Sequence, residues 1–162
     1  RRAKGFNVRI IYWSRRRKLD IEKETGAKYT DLKSLLREAD FVSLHLALTG
    51  ETKNFIGENE IRLMKPTAFL INTARGPLIN EDALYRCLRD GVIKGAAVDS
   101  YSDEPPEGSP LLSLNNTITT PHTGAYTYEA LRNMGMTSVE NIIDVLEGKK
   151  PRYIVNPEVY RS

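Results

Sequence analysis

Three side chains in this 162-residue sequence are of the types that move a proton beside a bound carboxylate: Arg75, Glu104 and His122. An imidazole gives and takes protons near neutral pH, and a neighbouring carboxylate favours the charged form of such a ring. A guanidinium offers a planar fork that matches a substrate carboxylate. Taken singly, an arginine in a turn is usually a solvated charge and a histidine is usually structural. Their surroundings change that. Each stands after a short apolar run that a turn interrupts: Ala68 to Ile71 before Asn72-Thr73-Ala74-Arg75-Gly76-Pro77, Gly95 to Val98 before Glu104, and Thr117 to Thr119 before Pro121-His122-Thr123-Gly124. If those runs are parallel strands, their carboxyl ends share one edge of a sheet, where open α/β folds place their ligands.

The remaining elements can be read in order. Arg1 to Lys4 suits the tail of a helix ending at Gly5, and Val8 to Tyr12 reads as the first strand. A short helix over Asp20 to Thr25 is closed by Gly26, followed by a brief strand at Ala27 to Tyr29. Thr30 is placed to cap a helix through Ala39, in which Leu32, Leu35, Leu36 and Ala39 keep a helical period. Phe41 to Leu44 is a strand, and a short helix near Asn59 to Met64 stops before Pro66. Asn80 caps a helix running to Asp90 and closed by Gly91, with Glu81 and Asp82 in its first turn. Small residues at Gly95 to Val98 call for a closely packed strand, and Asp99 to Leu114 for a long loop. A last helix covers about Tyr126 to Glu147, bounded by Gly148, and the tail to Ser162 reads as extended. Strands alternating with helices predict a parallel sheet with helices on both faces.

Composition sets the class. A hydrophobic content of 40% and a charged content of 28% belong to a globular chain of one-domain length. No apolar run approaches membrane-spanning length and no signal peptide opens the sequence, so a cytoplasmic setting is expected. The single Cys87 shares helical spacing with Leu84 and Leu88 and is expected to fill the core. The net charge of +3 is concentrated near the start, at Arg1, Arg2, Lys4, Arg9, Arg15, Arg16, Arg17 and Lys18. The apolar Val8 to Tyr12 interrupts that run and splits it between surfaces, which argues against a nucleic-acid patch.

One motif is absent. A dinucleotide domain normally opens with a strand and a G-x-G-x-x-G turn, and no such spacing occurs in the 162 residues. The chain as given is therefore expected to be a fragment, or a truncated reading frame, lacking the phosphate-binding turn.

The spaced motifs resemble the nucleotide-binding domain of the D-isomer-specific 2-hydroxyacid dehydrogenases, and look closest to the glyoxylate and hydroxypyruvate reductases. The matching segments are Leu70-Ile71-Asn72-Thr73-Ala74-Arg75-Gly76, Gly95-Ala96-Ala97-Val98-Asp99 with Asp103-Glu104-Pro105, and Thr120-Pro121-His122-Thr123-Gly124. Leu46-Ala47-Leu48-Thr49 with Thr52 fits the loop lining the adenine side, and Val155-Asn156-Pro157 fits the family's C-terminus. The resemblance implies a doubly wound parallel α/β sheet, Rossmann-like, without its first strand and glycine-rich turn. Residues 1–148 would form a partial dinucleotide-binding domain, and 149–162 a tail returning toward a substrate domain absent from this chain.

The same resemblance implies roles. Arg75 would hold the carboxylate of a 2-keto acid and polarise its keto oxygen. His122 would protonate that oxygen, and Glu104 would keep His122 charged. Asp99 would contact the nicotinamide carboxamide, although from the residues alone it reads equally as a loop carboxylate capping backbone amides. Leu46, Thr73, Ala74 and Gly124 would border the cofactor. No metal is called for. His45 lacks a carboxylate partner and reads as structural, and Trp13, Tyr126 and Tyr128 could either flank a ligand or simply pack.

Cofactor choice rests on the loop after the first strand. NAD-selective domains place an acidic residue there to bind the ribose hydroxyls. This sequence has Trp13-Ser14-Arg15-Arg16-Arg17, with no carboxylate before Asp20. Ser14, Arg15 and Arg16 suit a 2′-phosphate, so NADP(H) is expected, with NAD(H) as the competitor. The expectation is a homodimeric reductase of a small 2-keto acid such as glyoxylate or hydroxypyruvate, with no nucleic-acid or membrane partner. These 162 residues alone are not expected to turn over substrate. Two other readings keep the same residues: a cofactor-sensing corepressor of the same fold, and a module that only self-associates.

Overall fold

The computed structural model describes residues 1–160. In order these form β1 (Ile11–Tyr12), α1 (Leu19–Thr25), β2 (Lys28–Tyr29), α2 (Leu32–Glu38), β3 (Phe41–Leu44), α3 (Glu58–Ile61), β4 (Phe69–Asn72), α4 (Glu81–Arg89), β5 (Gly95–Val98), β6 (Thr117–Thr119) and α5 (Tyr128–Leu146). The backbone divides into two compact units, residues 1–122 and those from 123 onward.

Within the first unit, β3-β4-β5-β6 make a parallel four-stranded sheet in sequence order, while β1 and β2 pair separately in parallel. The register sets Leu44 beside Asn72, Asn72 beside Val98, and Val98 beside Thr119. The four carboxyl ends therefore lie level along one edge, and the loops leaving them start side by side.

Alternate residues of the strands turn one face of the sheet into the core. Val42, Leu44, Leu70, Ala96 and Val98 are buried with Leu36, Leu78, Leu84, Cys87, Leu88, Ile93 and Leu111 in one core. Cys87 is 1% exposed and burial raises its thiol pKa, consistent with the expected filler role. Gly95 is required by close packing: a Cβ there would fall 2.7 Å from the Asn116 carbonyl oxygen and against the Phe69 ring. Asn80 caps α4 as expected, its side chain accepting from the Ala83 amide at 2.9 Å. Gly26 and Gly91 follow their helices with φ of 74° and 70°, a conformation that favours glycine.

Several boundaries differ from expectation. The opening turn is a 3-10 helix, Arg2–Phe6, that passes Gly5 and ends at Asn7 with φ of 54°. Only Ile11–Tyr12 of the apolar run from Val8 is strand, because β2 offers just two partner residues. The cap of α2 is Asp31, whose carboxylate accepts from the Ser34 amide at 2.9 Å, and Thr30 lies one residue outside. α3 spans Glu58–Ile61 from an N-cap at Gly57, not Asn59 to Met64. A 3-10 turn, Pro110–Ser113, interrupts the long loop, and another, Pro157–Tyr160, lies within the tail expected to be extended. Arg161 and Ser162 lie outside the described residues.

The second unit holds α5, whose N-cap Thr127 accepts from the Ala130 amide at 3.1 Å. No residue of α5 is buried, although Leu131, Met134, Val139, Ile142 and Leu146 lie along it. Among the described residues, no helix is long and apolar enough to cross a membrane.

Candidate active site

The turn that carries Arg75 is built on Asn72, the last residue of β4. Its side chain is 1% exposed and substitutes for two backbone groups: Nδ2 donates to the Arg75 carbonyl at 2.9 Å, and Oδ1 accepts from the Ala74 amide at 3.1 Å. The Ser100 hydroxyl adds a bond to the Ala74 carbonyl at 3.3 Å. Arg75 itself is exposed, with Nη1 donating to the Ala74 carbonyl at 2.7 Å, so its fork is folded back along the chain. Gly76 follows because nothing larger fits: a Cβ there would lie 2.0 Å from the Tyr101 carbonyl carbon and 2.5 Å from the Ser102 nitrogen. Arg75's turn thus rests directly on the loop leaving β5.

That loop delivers Glu104. Tyr101 is buried, and its amide donates to Glu104 Oε1 at 3.1 Å. His122 arrives from β6 in the left-handed conformation, φ 54°, with its amide donating to the Thr120 carbonyl at 3.0 Å. A non-glycine residue in that region stores backbone strain, which folds tolerate mainly where a side chain must be aimed. His122 Nδ1 meets Glu104 Oε1 at 3.0 Å and Oε2 at 2.8 Å. The Glu104 carboxyl is held below the usual carboxylate range, most by the hydrogen bond to His122 and next by the Tyr101 amide. Desolvation opposes that shift, and the charges of His122 and Arg75 add to it. Glu104 and His122 are thus paired on the exposed strand-end edge, with the Arg75 charge acting on the Glu104 carboxyl. A nearby cavity of about 470 Å³, lined by Asn80, Glu81, Asp82, Asp103 and Ser109 among others, contains none of the three.

Asp99 is 7% exposed and accepts from the Thr120 hydroxyl at 2.6 Å, tying the end of β5 to that of β6. Leu46 packs against the core, Thr73 is exposed, and Ala74 is half-buried beside it. Gly124 belongs to the second unit. His45 is exposed with Nε2 at 2.9 Å from the Ser43 hydroxyl, a local contact. Tyr126 and Tyr128 are exposed, and Trp13 stacks on Phe55 with centroids 5.2 Å apart.

The loop after β1 separates its arginines. Arg17 is committed to Glu22, with Nε to Oε1 and Nη2 to Oε2 both at 2.7 Å. The Tyr12 hydroxyl donates to the same carboxylate at 2.7 Å and accepts from the Lys18 amide at 2.7 Å. These contacts depress the Glu22 pKa to about 2, Arg17 contributing most. The Ser14 hydroxyl donates to the Arg16 carbonyl at 2.6 Å, shaping the turn. Arg15 approaches Glu51 at 3.9 Å with both side chains exposed, and Arg16 has no hydrogen-bond or ion-pair partner for its guanidinium among the described residues. No carboxylate occurs in positions 13–18.

Reasoning from sequence gave no site role to Asn72, Tyr101 or Thr120, which bond to Arg75 and Ala74, to Glu104 and to Asp99 respectively. A polar residue closing an apolar run was the available signal for Asn72. Thr120 acts across 21 positions of sequence, and Tyr101 acts through its backbone amide, which its side-chain type does not declare.

Comparison with known proteins fits this geometry. Residues 1–124 match the model of the "D-isomer specific 2-hydroxyacid dehydrogenase, NAD binding domain". A glyoxylate reductase of Thermococcus litoralis is 45% identical over 162 residues, covering 100% of this chain and 49% of that protein. The chain thus spans about half the length of the curated relatives it matches. A crystal structure of a protein from Thermus thermophilus superposes with a TM-score of 0.85 at 39% identity, over 95% of this chain and 48% of that one. A D-isomer specific 2-hydroxyacid dehydrogenase from Lactobacillus delbrueckii ssp. bulgaricus, in its NAD complexed form, gives 0.82 at 34% identity, over 94% and 50%. The parallel sheet flanked by helices is Rossmann-like, and the chain belongs to the D-isomer specific 2-hydroxyacid dehydrogenase family, whose NAD binding domain it carries.

Proposed function

We propose that the intact protein is an oxidoreductase that reduces a small 2-keto acid, glyoxylate or hydroxypyruvate, to the 2-hydroxy acid, with Arg75, Glu104 and His122 carrying the step. The observation that carries this is the His122–Glu104 pair, with Nδ1 at 2.8 Å from Oε2, within the electrostatic reach of Arg75.

Arg75 binds the substrate carboxylate, for which its exposed guanidinium must swing from the Ala74 carbonyl. Glu104 holds Nδ1 of His122, which leaves Nε2 to give its proton to the keto oxygen. Glu104 then stabilises the orientation and charge of the ring, being itself an easily ionised carboxylate. When bound, the nicotinamide cofactor supplies the hydride. Asp99, locked to Thr120, borders the nicotinamide side, and Leu46, Thr73 and Ala74 line the remainder.

For the cofactor, the exposed Arg15 and Arg16 support NADP(H) over NAD(H), with Ser14 holding the turn that presents them. The tail from 149 onward returns toward a substrate domain. The exposed apolar residues of α5 support a homodimer.

The test is oxidation of NADPH by the intact protein with glyoxylate and hydroxypyruvate. Turnover with either supports the proposal. Cofactor binding without turnover of any 2-keto acid would favour a sensing role for the same fold.

A further inference from the structure

Two successive amides in the loop leaving β5 each end on a carboxylate. The Tyr101 amide donates to Glu104 Oε1 at 3.1 Å, and the Ser102 amide donates to Glu81 Oε1 at 2.5 Å. The peptide between these residues also lies on the backbone of Gly76, where a Cβ would be 2.2 Å from the Tyr101 carbonyl oxygen. That one peptide is therefore gripped from two sides by the segment that carries Arg75.

Glu81 is free to do this. It stands in the first turn of α4, where a carboxylate would ordinarily serve the helix N-terminus. Asn80 already fills that need through the Ala83 amide, so the Glu81 side chain reaches across 21 positions of sequence instead. The bond is charge-assisted and so stronger than a neutral one.

We propose that Glu81 is a positioning residue: by pinning the Ser102 amide it fixes the Tyr101 amide, and through it the carboxylate of Glu104 against His122. Its purpose rests on the reductase reading above, whereas its geometry does not. A placement error of about 1 Å in a catalytic group costs on the order of 10²-fold in rate, which is the benefit of a second fixed point. One contiguous segment, from Asn72 through Arg75 to Glu81, then sets both the carboxylate-binding arginine and the partner of the proton donor.

The test is NMR of the chain, which has two histidines and hence few ring signals to assign. In Glu81→Ala, the hydrogen-bonded Nδ1 signature of His122 is expected to weaken and the Glu104 carboxyl titration to move up toward its ordinary range. In Glu81→Gln, which keeps an acceptor oxygen, both are expected to stay close to those of the unaltered protein. An unchanged Nδ1 signature and Glu104 titration in Glu81→Ala would overturn the proposal. Should that variant not fold, hydrogen exchange at the Ser102 amide of the unaltered chain decides: protection is expected, and exchange at the rate of an unbonded amide overturns it. These readouts need no substrate. Failure of the reductase reading would appear separately, as absence of turnover.

Discussion

Glu104 holds His122 with both carboxylate oxygens, at 3.0 and 2.8 Å from the same ring nitrogen. The two residues come from loops after adjacent parallel strands, and the level ends of β5 and β6 bring them together. A hydrogen bond of this kind favours the ionised carboxylate, so the folded-state pKa of Glu104 lies below its unfolded value.

Because the Glu104 pKa is depressed on folding, its contribution to stability is present above the unfolded value of 4.5 and is lost as pH falls through the folded one. Denaturant midpoints of the unaltered chain and Glu104→Gln should therefore differ most near neutral pH and converge in acid. A difference that grows in acid would mean that the pair is not ionised in the folded protein.

The Glu22–Arg17 pair gives a sharper window, since the Glu22 pKa is depressed to about 2. Its stabilisation should be complete above the ordinary value of 4.5 and fade as pH falls from there to about 2. Arg17→Ala should raise the Glu22 titration toward 4.5, read by carboxyl NMR, and loosen the loop that presents Arg15 and Arg16.

Leu70 is 0% exposed at the centre of β4. Leu70→Ala should cost about 2–5 kcal/mol of unfolding free energy through lost transfer energy and the cavity left behind. A loss under about 1 kcal/mol, measured by denaturant titration, would show that the Leu70 side chain is not packed in the core.

Cofactor preference should follow the loop after β1. Ser14→Asp combined with Arg15→Ala places a carboxylate where a 2′-phosphate is proposed to sit and removes one cation. The ratio of kcat/KM for NADPH to that for NADH should fall in the intact protein. An unaltered protein that already favours NADH would make Arg15 and Arg16 surface charge.

Local signals in the sequence carried most of the fold. Asn80 and Gly26 declare helix ends by chemistry that neighbours cannot override, and β3, β5 and β6 stand where their apolar or small residues put them. Thr30 and Asp31 are adjacent residues that can both cap, and only the backbone geometry at Asp31 selects between them. The short β1 was not legible because strand length depends on the partner, and β2 is two residues long. For the site, spacing and family resemblance together brought out Glu104 and His122. Gly76 and Glu81 were not legible, because each acts on Tyr101 or Ser102, more than twenty positions away, and neither leaves a local pattern.

The most direct measurement is the turnover rate of the intact protein with a 2-keto acid before and after His122→Ala. A positioned general acid contributes about 10²–10⁴-fold, so kcat should fall by that factor while the fold and cofactor binding persist. Full turnover by the folded variant would remove His122 from the chemistry and contradict the account.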